Sequence, residues 1–131
     1  MAKEKVVFYR SDYSKDVVIK PSDYGAKLKA DDRVMYPLQE STSDPKHTPV
    51  IKHVVMNTWE VSVPNHPVIN VHYIDWIAVE TTLGFHLIQI GPKKEPVATF
   101  CLSKGEKILK AFAYCVPNGL FCTVKSGNDE E

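Results

Sequence analysis

The chain has 131 residues, 44% hydrophobic and 24% charged, a composition that indicates a globular protein and excludes disorder throughout. Its 16 Lys and Arg residues balance 16 Asp and Glu residues, so it lacks the cationic surplus of nucleic-acid and polybasic membrane binders. Three cysteines without a CxxC pair, no signal-peptide-like start and no long apolar run predict a cytoplasmic protein without a membrane span.

Short β-rich runs separated by turn residues fill most of the sequence, and nine prolines interrupt the segments that are long enough for a helix. Turn signals recur about every 8–12 residues, a spacing typical of an all-β sandwich of about seven strands. The predicted strands are, in chain order, 6–10, 16–20, 50–55, 59–63, 73–80, 84–90, 97–102, 108–114 and 120–124.

The first 40 residues differ from the rest, because they are more highly charged and residues 22–32 have the composition of a loop. Residues 39–45, Gln-Glu-Ser-Thr-Ser-Asp-Pro, have the composition of a linker. We therefore predict a small N-terminal segment over residues 1–40, a β-sandwich over 41–125 and a disordered tail over 126–131.

Three histidines and one cysteine indicate a transition-metal site. His47, His66 and His72 lie among turn residues, and Cys115 follows a predicted strand. Imidazole and thiolate are the side chains that bind transition metals, and histidines flanked by turn residues are poorly explained as core.

The remaining histidines and cysteines have simpler explanations. His53 and His86 fall on predicted strands and are expected to face solvent, so either would join the metal site only if the fold brought it close to Cys115. Cys101, between Phe100 and Leu102, is expected to be a small buried hydrophobe. Cys122 is assigned no role.

Four separated motifs between residues 44 and 124 together resemble the superoxide reductases, and most closely desulfoferrodoxin, the two-domain form of that family. The four motifs are Pro45-Lys46-His47-Thr48-Pro49-Val50-Ile51, His66-Pro67 leading into His72-Tyr73-Ile74-Asp75-Trp76-Ile77, Pro96-Val97-Ala98-Thr99-Phe100, and Ala113-Tyr114-Cys115 with Gly119-Leu120-Phe121. The resemblance implies an immunoglobulin-like, seven-stranded antiparallel β-sandwich. It also implies one iron per chain, bound by four equatorial histidines and an axial cysteine thiolate, that reduces superoxide to hydrogen peroxide.

The resemblance assigns a role to five positions directly. His47, His66 and His72 match three equatorial ligands, and Cys115 matches the axial thiolate. Lys46 matches the lysine beside the open iron position that attracts the anionic substrate, as a nearby positive charge should.

Two positions depart from the family pattern. Asn118 stands where the fourth histidine is expected, and three histidines with one cysteine also match the four ligands that zinc prefers. Pro45 replaces the glutamate that can become a sixth ligand of the oxidised iron, and Asp44 is the nearest carboxylate that could replace it.

The N-terminal segment matches the small desulforedoxin-like domain of desulfoferrodoxin, which holds a second iron with four cysteines. Here Ser11 and Ser14 occupy the CxxC positions, and Asp31 and Asp32 occupy those of the adjacent pair. Without thiolates this second iron centre cannot form, so the segment is expected to be a metal-free dimerisation or packing element.

Two functions follow from the resemblance. The first is a superoxide reductase, homodimeric in the usual manner of the family, that receives electrons from a small external carrier such as rubredoxin. The alternative is a non-catalytic relative that binds zinc or no metal and has a structural or interaction role.

Overall fold

The computed structural model describes residues 7–10, 16–22, 24–30, 33–42 and 44–125. All regular secondary structure in these residues is β-strand, and none of it forms a helix with the length and apolarity needed to span a bilayer. The chain divides into two compact units, Met1–Gln39 and Glu40–Glu131. The predicted disordered tail, residues 126–131, lies outside the described residues.

The first unit consists of short strands: β1 Phe8–Arg10, β2 Val18–Ile19, β3 Lys29–Ala30, β4 Arg33–Val34 and β5 Tyr36–Pro37. β1 pairs with β2 and β5, and β3 forms a separate antiparallel pair with β4. The prediction that residues 22–32 form a loop is therefore wrong at β3, because a two-residue strand is too short to show the alternation that predicts one. The four positions expected to have lost cysteines, Ser11, Ser14, Asp31 and Asp32, lie outside the described residues.

The second unit has a five-stranded and a three-stranded sheet, with strand orders β10-β9-β12-β13-β6 and β11-β8-β7. Its strands are β6 Glu40–Ser41, β7 Val50–Val55, β8 Thr58–Ser62, β9 Tyr73–Thr81, β10 Phe85–Gln89, β11 Val97–Cys101, β12 Ile108–Val116 and β13 Gly119–Val124. The seven strands from β7 onward overlap the seven predicted ones.

Alternating side chains place β11 at the surface of the core. Ala98 and Phe100 are each 3% exposed, whereas Val97, Thr99 and Cys101, which alternate with them, are exposed. The prediction that Cys101 is buried is therefore wrong, because successive residues of a strand point to opposite faces. The central strands β9 and β12 are instead almost continuously buried, and burial of a side chain such as Phe112 contributes about 1.5–3 kcal/mol.

The predicted linker over residues 39–45 contains a strand. β6 pairs in parallel with the start of β13, through Leu120 with Glu40 and Phe121 with Ser41. Glu40 also forms an ion pair with Lys110, so this polar strand is held by backbone hydrogen bonds and charge rather than by apolar alternation. Among the strands of the described residues it forms the parallel pair, and the other pairs are antiparallel.

A buried carboxylate holds the loops together at the end of the sheet where β9 stops. Glu106 accepts hydrogen bonds from the Thr81 hydroxyl, from His86 Nε2 at 2.9 Å and from the Ser103 backbone N–H at 2.8 Å. The Thr81 hydroxyl is the main reason why the pKa of Glu106 is lowered to about 2. Ionised Glu106 therefore ties the β9–β10 turn to the β11–β12 loop.

Candidate metal centre

His47 lies in a tight turn over residues 44–48. The Asp44 carbonyl accepts hydrogen bonds from the backbone N–H groups of His47 at 3.1 Å and Thr48 at 2.9 Å, and its carboxylate Oδ1 accepts one from Lys46 N–H at 2.9 Å. An aspartate at the first position and a proline at the second favour such a turn. The His47 ring then stacks on Phe121 of β13, with centroids 4.7 Å apart and planes 21° apart.

His66 and His72 lie in the loop between β8 and β9, and His72 is the last residue before β9. His72 forms a two-hydrogen-bond bridge with Ile69, at 3.1 and 3.2 Å, immediately before β9 begins. His66 is 7% exposed, and its Nδ1 donates a hydrogen bond to the Pro67 carbonyl at 2.8 Å. Since a carbonyl only accepts, His66 keeps the Nε2 lone pair free to bind a metal.

Cys115 lies near the end of β12, and Asn118 lies in the turn between β12 and β13. Cys115 is fully buried and pairs with Ile74 of β9 and Gly119 of β13. The turn contains a cis peptide bond at Val116–Pro117, and Gly119 follows it with φ 108°, a value that favours glycine. Because β9 begins where the antiparallel β12 ends, this turn lies at the same end of the sheet as His72.

These segments bring His47, His66, His72 and Cys115 together. One ligand atom from each lies within 4.8 Å of the others, and His66 Nε2 is 3.2 Å from Cys115 Sγ. Atoms bound to one ion by bonds of about 2.0–2.3 Å lie roughly 3–4.6 Å apart. The four donor atoms would therefore fit a transition metal after moving slightly closer together. Among the residues the structure describes, no other group of His, Cys, Asp and Glu side chains has this geometry.

Asn118 lies against this cluster. Its Nδ2 is 3.1 Å from His47 Nε2 and 3.2 Å from His72 Nε2. An amide NH₂ has two hydrogens, so Asn118 can donate one to each imidazole. Asn118, which stands where the fourth histidine is expected, thus contacts His47 and His72.

The surroundings favour the neutral forms of Cys115 and His66. Burial raises the pKa of the Cys115 thiol, and hydrogen bonds from Asn118 oppose this effect. Burial also lowers the pKa of His66, and the neighbouring His47 and His72 lower it further. A metal must therefore displace the proton of the Cys115 thiol, since only the thiolate is a ligand.

One side of the cluster opens into a cleft of about 480 Å³. Lys46 is exposed at this cleft, where its positive charge would attract a small anion. The cleft is lined by Pro45, Lys46, His47, Pro64, Asn65, His66, Pro67 and His72.

The other predicted alternatives lie elsewhere. His53 Nε2 contacts the Met56 carbonyl at 2.7 Å, and His86 contacts Glu106, so neither belongs to the cluster around Cys115. Cys122 is buried, and its Sγ is 3.7 Å from Glu40 Oε1.

Asp44 is not part of the four-residue cluster. Its Oδ2 lies 2.9 Å from His47 Nδ1, the ring nitrogen that does not face Asn118. The hydrogen bond from the Lys46 N–H is the main reason why the pKa of Asp44 is lowered. Sequence reasoning missed this contact, although an aspartate three residues before a predicted ligand histidine is a usable signal for it.

The family model for desulfoferrodoxin matches residues 39–123 of the sequence. The chain belongs to the desulfoferrodoxin family. The predicted family and the predicted all-β sandwich are both confirmed.

Solved superoxide reductases share the fold. The enzyme from Treponema pallidum is 24% identical and aligns with a TM-score of 0.78 over 91% of this chain and 98% of its own. The enzyme from Nanoarchaeum equitans is 23% identical, with a TM-score of 0.51 over 66% of this chain and 96% of its own. A search of curated proteins found no match.

Proposed function

We propose that this protein reduces superoxide to hydrogen peroxide at one iron ion per chain, held by His47, His66, His72 and Cys115. The observation that carries the proposal is the convergence of three imidazoles and one thiol within 4.8 Å at the mouth of an open cleft. Structural metal sites are closed by protein ligands, whereas catalytic sites keep a position open to substrate. The open side of this cluster therefore supports a reaction rather than a purely structural role.

Each residue of the site has a distinct task. The three imidazoles would hold the metal, and the buried Cys115 thiolate would add negative charge to it. Bound iron would supply the one electron for superoxide reduction, with two protons from solvent completing hydrogen peroxide. Lys46 raises the local concentration of the superoxide anion at the cleft, because a positive charge beside a low-dielectric wall attracts small anions.

The electrons come from outside the chain. The three cysteines, at positions 101, 115 and 122, all lie in the second unit, so the N-terminal unit cannot build the four-thiolate iron centre that would relay an electron internally. We infer that a small carrier of the rubredoxin type restores the reduced protein. The three free cysteines agree with a reducing compartment, the cytoplasm, and the family resemblance supports a homodimer.

Zinc is the specific competitor for this site. Three histidines and one cysteine match its preferred ligand number, and nitrogen and sulfur donors bind Zn²⁺ more tightly than Fe²⁺. A zinc-bound chain would be a non-catalytic relative of the superoxide reductases. Metal content therefore discriminates the two functions.

The test is the metal content and colour of protein purified without added metal. We expect about one iron per chain and, after oxidation, a blue thiolate-to-iron charge-transfer band. Cys115→Ser should abolish the band because it removes the thiolate, whereas Cys101→Ser should keep it because Cys101 lies on the exposed face of β11. Colourless protein with stoichiometric zinc, or a band that survives Cys115→Ser, would contradict the proposal.

A further inference from the structure

We propose that Asp44 is a positioning residue of the metal centre, which holds His47 as the tautomer with its proton on Nδ1 and its Nε2 lone pair directed at the metal. This inference rests on the proposed function, because it assumes that His47 is a ligand. It assigns Asp44 to the imidazole of His47 rather than to the iron itself.

The first step is the contact between the carboxylate and the ring. Asp44 Oδ2 is 2.9 Å from His47 Nδ1. An ionised carboxylate only accepts hydrogen bonds, so Nδ1 must carry the hydrogen. A neutral imidazole with its hydrogen on Nδ1 has its lone pair on Nε2.

The second step is the contact on the other side of the ring. His47 Nε2 is 3.1 Å from Asn118 Nδ2, which is also 3.2 Å from His72 Nε2. An amide nitrogen only donates, so Nε2 of His47 must be the acceptor. Both contacts of the ring thus require the same tautomer, and that tautomer directs the lone pair into the cluster.

The third step is that Asp44 itself is held in place. Its Oδ1 accepts the Lys46 backbone N–H at 2.9 Å, while its carbonyl accepts those of His47 and Thr48. With Oδ1 and Oδ2 both engaged, the carboxylate bridges the turn backbone and the imidazole. This engagement of both oxygens distinguishes the assignment from a sixth metal ligand.

The stacking of His47 on Phe121 cannot perform this task. Stacking fixes the plane of the ring, but a half-turn about the Cβ–Cγ bond keeps that plane and exchanges nitrogen for carbon. The Asp44 hydrogen bond is lost in the flipped ring and therefore selects between the two orientations. A carboxylate behind a ligand histidine also raises its basicity, and losing such a partner typically weakens metal binding about 10–100-fold.

The experiment compares Asp44→Ser and Asp44→Asn with wild type. Serine can still accept the Lys46 N–H and keep the turn, but its side chain is too short to reach Nδ1. Asparagine has the same length but only one acceptor oxygen, so it can accept from the Lys46 N–H or from His47 Nδ1 but not from both. The Asp44 side chain is 40% exposed, so neither change disturbs the core. Glu95→Gln, which removes an exposed negative charge elsewhere in the second unit, is the control.

Two readouts are taken on the full chain at one pH above neutrality. Long-range ¹H–¹⁵N correlation of the metal-free protein reports the tautomer of each histidine, and chelator competition reports the dissociation constant for Co²⁺. We expect Asp44→Ser to populate the Nε2-protonated form of His47 and to weaken Co²⁺ binding about 10–100-fold. Asp44→Asn should shift the tautomer and the affinity in the same direction as Asp44→Ser, because its NH₂ faces His47 Nδ1 when its oxygen accepts the Lys46 N–H. Glu95→Gln should match wild type.

An unchanged His47 tautomer in Asp44→Ser would overturn the proposal, even with weaker Co²⁺ binding, because the Asn118 contact would then be sufficient to hold the tautomer without Asp44. A changed tautomer with unchanged Co²⁺ affinity would also overturn it. Neither readout uses superoxide, so the tautomer and Co²⁺ measurements still test the role of Asp44 if the protein proves not to reduce superoxide.

Discussion

At the scale of single residues, Asn118 decides how far this site departs from its family. Its side chain amide contacts the Nε2 atoms of both His47 and His72, so it lies at the corner where a fourth imidazole is expected. An amide oxygen is a weaker donor than imidazole. We therefore expect the identity of this residue to affect both the metal affinity of the site and the metal that it retains.

We predict that Asn118→His increases iron retention, by about tenfold or more in affinity, because it adds a strong donor at a corner already lined by two imidazoles. Asn118→Ala should change affinity less. Iron occupancy after identical anaerobic loading and dialysis of the three proteins measures the effect. A histidine variant that binds no more iron than wild type would contradict the prediction, and an alanine variant without metal would make the amide a true ligand.

Much of the site could be predicted from residues because its ligands lie in short motifs. His47, His66, His72 and Cys115 carry family motifs in order and spacing, and the structure brings them within 4.8 Å. The role of Asp44 could not be predicted in this way. It depends on a turn whose backbone hydrogen bonds direct the carboxylate toward the ring. Nothing in the sequence alone shows which ring nitrogen of His47 lies nearer to Asp44.

At the scale of strands, prediction succeeded where alternation and turns are long enough to read. The strand β7 was predicted with its observed bounds, Val50–Val55, and β9 within one residue of its end. The strands β3, β4, β5 and β6 were missed, and each has only two residues. β6 pairs with β13 through its backbone and through the Glu40–Lys110 ion pair, and neither interaction leaves an apolar pattern in the sequence.

Glu106 gives a prediction at this scale because it joins two turns. We predict that Glu106→Gln lowers the free energy of unfolding by about 1–3 kcal/mol at neutral pH, since the charged acceptor of buried hydrogen bonds is lost. The folded pKa, about 2, is below the usual 4.5. The stabilisation is therefore fully present above about pH 4.5 and is lost as the pH falls toward 2. Denaturant unfolding of both proteins across this range measures the effect.

The difference between wild type and Glu106→Gln should shrink as the pH falls. A difference that is constant between pH 7 and pH 2 would show that Glu106 is not the titrating group. Metal affinity at neutral pH is the control readout. It should not change, because Thr81 and the metal cluster lie at opposite ends of β9, roughly 26 Å apart at about 3.3 Å per residue.

At the scale of the whole molecule, all three cysteines lie in the second unit, so only that unit can supply thiolate ligands. We predict at most one transition metal per chain, because all three cysteines lie in the second unit and one of them, Cys115, belongs to the cluster. The double variant Cys115→Ser/His66→Ala should therefore retain essentially no iron or zinc, while Cys101→Ser should retain the wild-type amount. Elemental analysis of the full-length proteins measures this, and stoichiometric metal in the double variant would reveal a second site.

The fate of superoxide tests the central claim most directly. Iron-loaded, reduced protein is exposed anaerobically to a pulse of superoxide smaller than the protein concentration, and hydrogen peroxide and oxygen are both quantified. We predict one hydrogen peroxide per superoxide and no oxygen, because each superoxide takes one electron from the protein and two protons. Half a hydrogen peroxide per superoxide, with oxygen released at the rate of spontaneous dismutation, would contradict the account.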